Sequence, residues 1–196
     1  MAKGRKIVVY IASSVDGYIA RKDGSVDWLN RPRTAGDYGM GAFFKTIDTI
    51  VWGRKTYDMA AGFAKKGGGL GYGSAIKNYV FTHHPPTTAV SGVEFITEQV
   101  STFAQGLKTA QGKDIWIMGG AAVVASFLDA GQIDEFIINV VPTIIGEGVP
   151  LITPDKRLIP LTLRSSESFA DGVVRLHYSV GGALPQIRKK SPRRST

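Results

Sequence analysis

Two adjacent glycines, Gly119 and Gly120, stand where the apolar run Ile115–Met118 gives way to the small residues Ala121, Ala122 and Val123. A strand that ends in glycine and opens a helix lets backbone approach a ligand closely. It also aims helix-terminal N–H groups at an anion. The same spacing equally makes a tight strand–helix turn with close packing. A second stretch, VWGRKTYDM, breaks an apolar run at Gly53 and then places Arg54, Lys55 and Thr56 at the start of a helical pattern. Two cations and a hydroxyl beside helix-terminal N–H groups make a phosphate cradle. Cations there oppose the helix dipole unless an anion joins them; a solvated helix start is the plainer alternative. A third stretch, YVFTHH, presents Thr82, His83 and His84 at a strand end before Pro85-Pro86. Histidines can bind metal, but no third ligand stands at useful spacing, so no metal is expected and phosphate contact or plain surface remains. A fourth, IASSVDGYIARKDG, carries the turn signals Asp16-Gly17 and Asp23-Gly24. Ligands of α/β sheets gather at the carboxyl ends of strands, so four such ends together say more than any one.

The elements that must position these residues follow from the pattern of apolar runs. Lys6–Ala12, Thr49–Trp52, Tyr79–Thr82, Ile115–Met118, Phe136–Val141 and Val173–Ser179 read as strands. Gly41–Ile47, Lys55–Gly62, Val100–Gln111 and Ala121–Ala130 read as helices; the third shows its apolar face at Val100, Phe103, Ala104 and Leu107. Strands alternate with helices early, and mostly strands follow Gln132. The pattern predicts an α/β domain with a mixed, largely parallel sheet ending in antiparallel strands. One domain over residues 1–182 and a basic, disordered tail over 183–196 are expected. The glycine-rich segment Lys65–Ala75 fits no dinucleotide fingerprint and follows a helix rather than a strand, so it reads as a surface loop, with a substrate-side lid as the minor alternative.

Composition narrows the class. A chain of 196 residues can bury a real core. No apolar run is long enough for a membrane span, and the short run Ile7–Ala12 reads as a first strand rather than a leader peptide. The absence of cysteine excludes disulfides, thiolate chemistry and cysteine-ligated zinc, and fits a reducing cytoplasm. Five charges of the formal net +8 lie in the tail, on Arg188, Lys189, Lys190, Arg193 and Arg194. A basic tail can touch nucleic acid or an anionic membrane. No aromatic residues interleave with these charges, however, so a solvated tail without either partner is expected.

IASSVDGYIA, WGRKTY, VFTHH and IWIMGGAAVVASFL, taken in order, resemble the dihydrofolate reductase superfold across most of residues 1–182. The resemblance implies NADPH as cofactor and a cis peptide between Gly119 and Gly120 lying against it. It implies that Ala12, Ile19 and Ala20 border the nicotinamide. Gly53, Arg54, Lys55 and Thr56 would hold phosphates, Thr82 and His83 would face the adenosine 2′-phosphate, and Gly120, Ala121, Ala122 and Val123 would cradle the pyrophosphate. On the substrate side, Trp28 matches the tryptophan of the family's mobile loop. Asp37 matches the carboxylate that grips the pterin and helps deliver a proton; as a residue type before YGMGAFF it is equally a helix cap. The loop holding Trp28 is longer than in dihydrofolate reductases, and Gly39 and Gly41 stand where that family has bulky residues.

The stretch DEFIINVVPTIIGEGVPLI, with Pro142, Gly146 and Gly148, is instead similar to the reductase domain of riboflavin biosynthesis, the C-terminal domain of RibD, as is SSVDGYIA. There Glu147 would meet substrate or be an exposed turn charge. The resemblance implies a reductase that passes hydride from NADPH to a small heterocycle, either a pterin such as dihydrofolate or a riboflavin-precursor aminopyrimidine. A non-catalytic NADP-binding protein on the same fold is the alternative. It also implies a homodimer through the later strands; with no cysteine and no zinc motif, no deaminase half is expected.

Overall fold

The computed structural model describes residues 4–31, 36–63 and 75–182. In chain order the elements are β1 (Ile7–Ser14), β2 (Tyr18–Ala20), a 3-10 turn (Asp27–Leu29), α1 (Met40–Phe44), β3 (Ile47–Gly53), α2 (Arg54–Phe63), β4 (Lys77–Phe81) and β5 (Val93–Ile96). There follow α3 (Val100–Thr109), β6 (Asp114–Gly119), α4 (Ala121–Asp129), β7 (Glu135–Val141), β8 (Val149–Pro150), β9 (Leu161–Ser168) and β10 (Val174–Val180). One sheet runs in the order β5-β4-β3-β6-β1-β7-β10-β9, and β2 pairs separately with β8. β5 through β7 are mutually parallel; β10 and β9 add antiparallel at one edge. This is the mixed, mainly parallel sheet that the sequence predicts.

β1 is central because it is apolar on both faces, as a strand covered by helices on each side must be. Its residues divide by alternation. Ile7 and Val9 join Ile115, Ile117, Phe136 and the buried faces of α3 and α4. Val8 and Tyr10 join Ile50, Trp52, Trp116 and residues of α1 and α2 on the opposite face.

Several expected boundaries move. Thr46 closes α1 by bonding its hydroxyl to the Phe43 carbonyl at 2.7 Å, and Ile47 is already in β3, paired with Asp114. The expected helix Gly41–Ile47 is therefore shorter and begins earlier, and β3 is longer than Thr49–Trp52. β1 continues past Ala12 to Ser14 because Ser13 and Ser14 pair with Val140 and Val141. β2, β5, β8 and β9 are further strands. β9 carries exposed side chains throughout, so no burial pattern marks it in the sequence. The Lys65–Ala75 segment, except Ala75, lies outside the described residues, as do the tail from residue 183 and residues 32–35. No helix among the described residues is long and apolar enough to cross a membrane.

Candidate functional site

Neighbouring strands β3 and β6 send the chain to opposite faces of the sheet. After β3, α2 packs on the face of Trp52 and Tyr57; after β6, α4 packs on the face of Val124 and Phe127. A crevice opens where two such connections part, at the carboxyl ends of the strands, and it is where α/β sheets bind ligands. Gly53 and Gly119-Gly120 are the residues at that point. A Cβ on Gly53 would lie 3.3 Å from the Gly120 nitrogen and 3.5 Å from a Val123 methyl. One on Gly120 would lie 3.1 Å from the Thr56 hydroxyl, and Gly119 has a φ of 111°, which favours glycine. The Gly119–Gly120 peptide is cis. Close approach of α2, β3, β6 and α4 thus favours glycine at 53 and 120, and a positive φ favours it at 119. Ala121 and Val123 are buried and Ala122 is exposed.

At the other end of the crevice Arg54 reaches from the start of α2 to the turn after β4. Its Nε donates to both oxygens of Asp58 at 2.8 Å, its Nη1 donates to the His84 carbonyl at 3.1 Å, and the guanidinium lies 5.6 Å from the Phe95 ring centre. Thr82 accepts the His84 N–H at 3.1 Å, which shapes that turn. The structure therefore brings Arg54, Thr56, Thr82 and the His83-His84 turn to one side of the crevice, with Lys55 and His83 exposed. Asp58 answers part of the demand that Arg54 makes for an anion.

Beyond the end of β1 two motifs interlock. Ser14, at the end of β1, donates to Asp16 at 2.6 Å and accepts the Tyr18 N–H at 2.9 Å. The Asp16 carboxylate also accepts the Ile145 N–H at 3.2 Å and the Gly146 N–H at 2.7 Å. The Ser14 hydroxyl first, working against desolvation, and then the Gly146 and Ile145 amides hold this carboxyl below its usual pKa. A Cβ on Gly148 would overlap the Ala20 carbonyl oxygen, so glycine is needed where the loop crosses β2. SSVDGYIA and PTIIGEG are thus two halves of one joint, beside which Ala12 and Ile19 are half-buried and Ala20 is buried. Glu147 faces solvent at 69% exposure, paired with Lys22, as a turn charge would be.

Asp37 is exposed. Its carboxylate accepts the Gly41 N–H at 2.7 Å and the Gly39 N–H at 2.9 Å, and these two bonds, Gly41 first, hold it below its ordinary pKa. Asp37 thus satisfies amides at the entry to α1, whose cap position is Gly39, and an acid held ionised is a poor proton donor. Trp28 is buried in the 3-10 turn against Val141 and Val173, with Ala12, Tyr38 and Phe169 around it. The Tyr38 carbonyl accepts from both the Tyr10 hydroxyl and Arg175 Nη1, each at 2.7 Å, tying α1's entry to β1 and β10. Two buried side-chain atoms lack a hydrogen-bond partner among the described residues: Trp28 Nε1 and Asn139 Oδ1. A buried polar group left unpaired costs about 1–3 kcal/mol, so each is an exception to be explained. Sequence reading missed Asn139, Asp16 and Tyr38. Asp16 left only its turn signal with Gly17, and Asn139 stands out as the one polar side chain inside the apolar run Phe136–Val141.

A separate open groove of about 310 Å³ lies along α1 toward the opposite, amino ends of β6 and β7. Its Glu135 is tied to Lys6 and His177. Burial alone would raise that carboxyl's pKa, but the bonds from Lys6 and His177 outweigh it and hold it low. Among the described residues no group of three or more His, Asp or Glu side chains is placed to hold a metal ion.

The family described as the RibD C-terminal domain matches residues 5–175. The chain belongs to that family. The uncharacterized protein YwjB of Bacillus subtilis is 40% identical to this RibD C-terminal domain over 174 residues, spanning 89% of this chain and 97% of its own. Among solved structures, a putative riboflavin biosynthesis protein from Shewanella sp. PV-4 superposes with a TM-score of 0.76 at 26% identity, covering 90% of this chain and 99% of its own. Dihydrofolate reductase from Enterococcus faecalis, solved with NADP(H), superposes with a TM-score of 0.61 at 15% identity, over 90% and 97% of the two chains. This RibD C-terminal domain therefore has a dihydrofolate reductase-like fold, as its motifs imply.

Proposed function

We propose that this chain is an NADPH-dependent reductase of a small heterocyclic substrate. The observation that carries the reading is the glycine-walled crevice between the ends of β3 and β6, with Arg54, Thr56 and the Thr82–His84 turn along one side. Glycine at 53, 119 and 120 lets backbone approach a dinucleotide closely at these strand ends. The first turn of α4, from Ala121 to Val123, offers N–H groups to a pyrophosphate. Arg54, Lys55 and Thr56 hold phosphate oxygens, and Thr82 and His83 meet a 2′-phosphate. Ala12, Ile19 and Ala20 form the nicotinamide wall, set by the Asp16 joint. NADPH supplies the hydride when bound; the chain orients it and excludes water beneath Trp28. With Asp37 engaged as a cap, the proton is drawn from water.

The substrate is a pterin such as dihydrofolate or a riboflavin-precursor aminopyrimidine, reduced in the cytoplasm by a catalytic unit of residues 1–182. The same observations suit an NADP-binding protein without turnover, and Asp37's engagement favours that second reading over a dihydrofolate reductase acid. Leu161, Leu163 and Val174 are exposed, and their register places them on one face of β9 and β10 with Leu176 and Tyr178. That face supports a homodimer through the late strands. Leu163→Lys then yields a monomer in light scattering where the wild type is a dimer.

The deciding experiment titrates the protein with NADPH and with NADH, following tryptophan fluorescence. NADPH binding tighter by at least tenfold, about 1.4 kcal/mol, supports the reading. Binding of neither at millimolar concentration sinks it. Oxidation of bound NADPH by dihydrofolate or an aminopyrimidine separates the reductase from the silent binder.

A further inference from the structure

We infer that Asp171, in the turn that joins β9 to β10, is a positioning residue: by holding the Tyr38 hydroxyl it keeps the start of α1 and the Trp28 turn packed beside Ala12. This deepens the cofactor reading above and rests on it, since Ala12 is assigned there to the nicotinamide wall. Residues 169–173 form a tight turn. The Phe169 N–H donates to the Val173 carbonyl at 2.8 Å, and the Gly172 N–H donates to the Phe169 carbonyl at 2.9 Å. Asp171 stands at its tip, half-buried. Its carboxylate accepts the Tyr38 hydroxyl and, at 3.3 Å, the Val173 N–H. Its carbonyl accepts Arg31 Nη2 at 2.5 Å. The Tyr38 hydroxyl first, working against desolvation, and then the Val173 amide and the Arg31 charge hold this carboxyl below its usual pKa. At neutral pH Asp171 is therefore an ionised acceptor.

Tyr38 is the residue through which Asp171 acts. Its φ of 54° is a left-handed backbone that a bulky side chain adopts only where its neighbours over-determine it. They do so from three strands. The Tyr38 carbonyl accepts from Tyr10 of β1 and from Arg175 of β10, its ring stands edge-on to Phe169 at 5.1 Å between centres, and its hydroxyl goes to Asp171. Trp28 is buried against Val173 of the same turn, and Ala12, Tyr38 and Phe169 pack on that small cluster. The two larger clusters, which hold the sheet and its helices together, include none of these five residues. Loss of the Asp171 bond therefore loosens one local unit and spares the rest. Arg54 and Thr82, assigned to the phosphates, follow β3 and β4, which lie across β6 and β1 from β10. The nicotinamide end of the cofactor depends on Asp171, and the phosphate end does not.

Calorimetry of the full chain with two ligands tests this: NADPH, and 2′-phospho-ADP-ribose, which is the same molecule without its nicotinamide. Asp171→Ala weakens NADPH by about tenfold or more and leaves 2′-phospho-ADP-ribose within about twofold of the wild type. Tyr38→Phe, which removes only the hydroxyl, does the same. The double variant binds NADPH no more weakly than the weaker single variant, because both substitutions break one bond. In amide exchange, residues 27–31 and 38–41 exchange faster in Asp171→Ala, while β1, β3 and β6 keep their rates. NADPH binding within about twofold of the wild type in either single variant overturns the assignment, as do additive losses in the double variant. An equal loss of both ligands also overturns it, because the disturbance then reaches the phosphate end. So does failure of either variant to fold, since Asp171 would then support the whole domain. Failure of the wild type to bind NADPH is a different result, and it sinks the cofactor reading on which the assignment rests.

Discussion

Gly53→Ala separates the two reasons for glycine at the crevice, packing and ligand approach. Gly53 has no positive φ, so alanine suits its backbone. The added methyl would lie 3.3 Å from the Gly120 nitrogen and 3.5 Å from both the Gly119 oxygen and a Val123 methyl. Overpacking of this kind costs about 1–3 kcal/mol. Replacing glycine narrows the unfolded ensemble and returns about 0.4–1 kcal/mol. The net cost is about 0–2.5 kcal/mol, or at about 2–4 °C per kcal/mol a fall in Tm of at most about 10 °C. The variant should fold. The methyl nevertheless presses on the Gly119–Gly120 turn that the proposed cofactor site uses, so NADPH binding should weaken more than tenfold, above about 1.4 kcal/mol. The assay pairs thermal melting by circular dichroism with NADPH titration. A folded Gly53→Ala protein that binds NADPH within twofold of wild type would refute the reasoning, because Gly53 would then serve packing alone.

Three further outcomes are expected. Arg54→Ala should weaken NADPH at least tenfold more than NADH in parallel titrations. Its stability should fall by about 1–2 kcal/mol, since the exposed i,i+4 pair with Asp58, the bond to the His84 carbonyl and the contact with the Phe95 ring are all lost. Asp37→Asn should leave NADPH affinity and the pH profile of any turnover unchanged while lowering Tm slightly; a lost alkaline or acid limb in kcat would restore Asp37 as the acid. Asp16 has a folded pKa below its unfolded value, about 3.9. Its contribution to stability is therefore present above that value and lost as pH falls through the folded pKa. In urea unfolding from pH 6 to pH 2, Asp16→Asn should show a lower midpoint at pH 6 and a shallower fall below about pH 4.

Much of the fold was legible in the sequence because burial writes itself into residue type. β1 and β6 are covered on both faces and read as apolar runs, β7 reads as one interrupted only at Asn139, and α4, buried on most sides, follows its glycines in an equally apolar stretch. Gly53, Gly119 and Gly120 stood out because a positive φ at Gly119 and close approach at Gly53 and Gly120 disfavour side chains there. β9 was not legible: an exposed edge strand such as LTLRSSES obeys no burial pattern and exists because β10 offers it a free ladder. Nor could one chain position reveal that Asp16 holds the amides of Ile145 and Gly146, 129 and 130 residues away. Asp37 could be a cap or an acid until its surroundings were known, since both uses favour the same residue type. Local propensity and alternation thus determined which segments become strands and helices and which glycines are obligatory. Tertiary structure alone decided which side chains meet, which carboxylates are engaged, and that Asn139 and Trp28 are buried with a polar atom unpaired, because those are properties of neighbours distant in the chain.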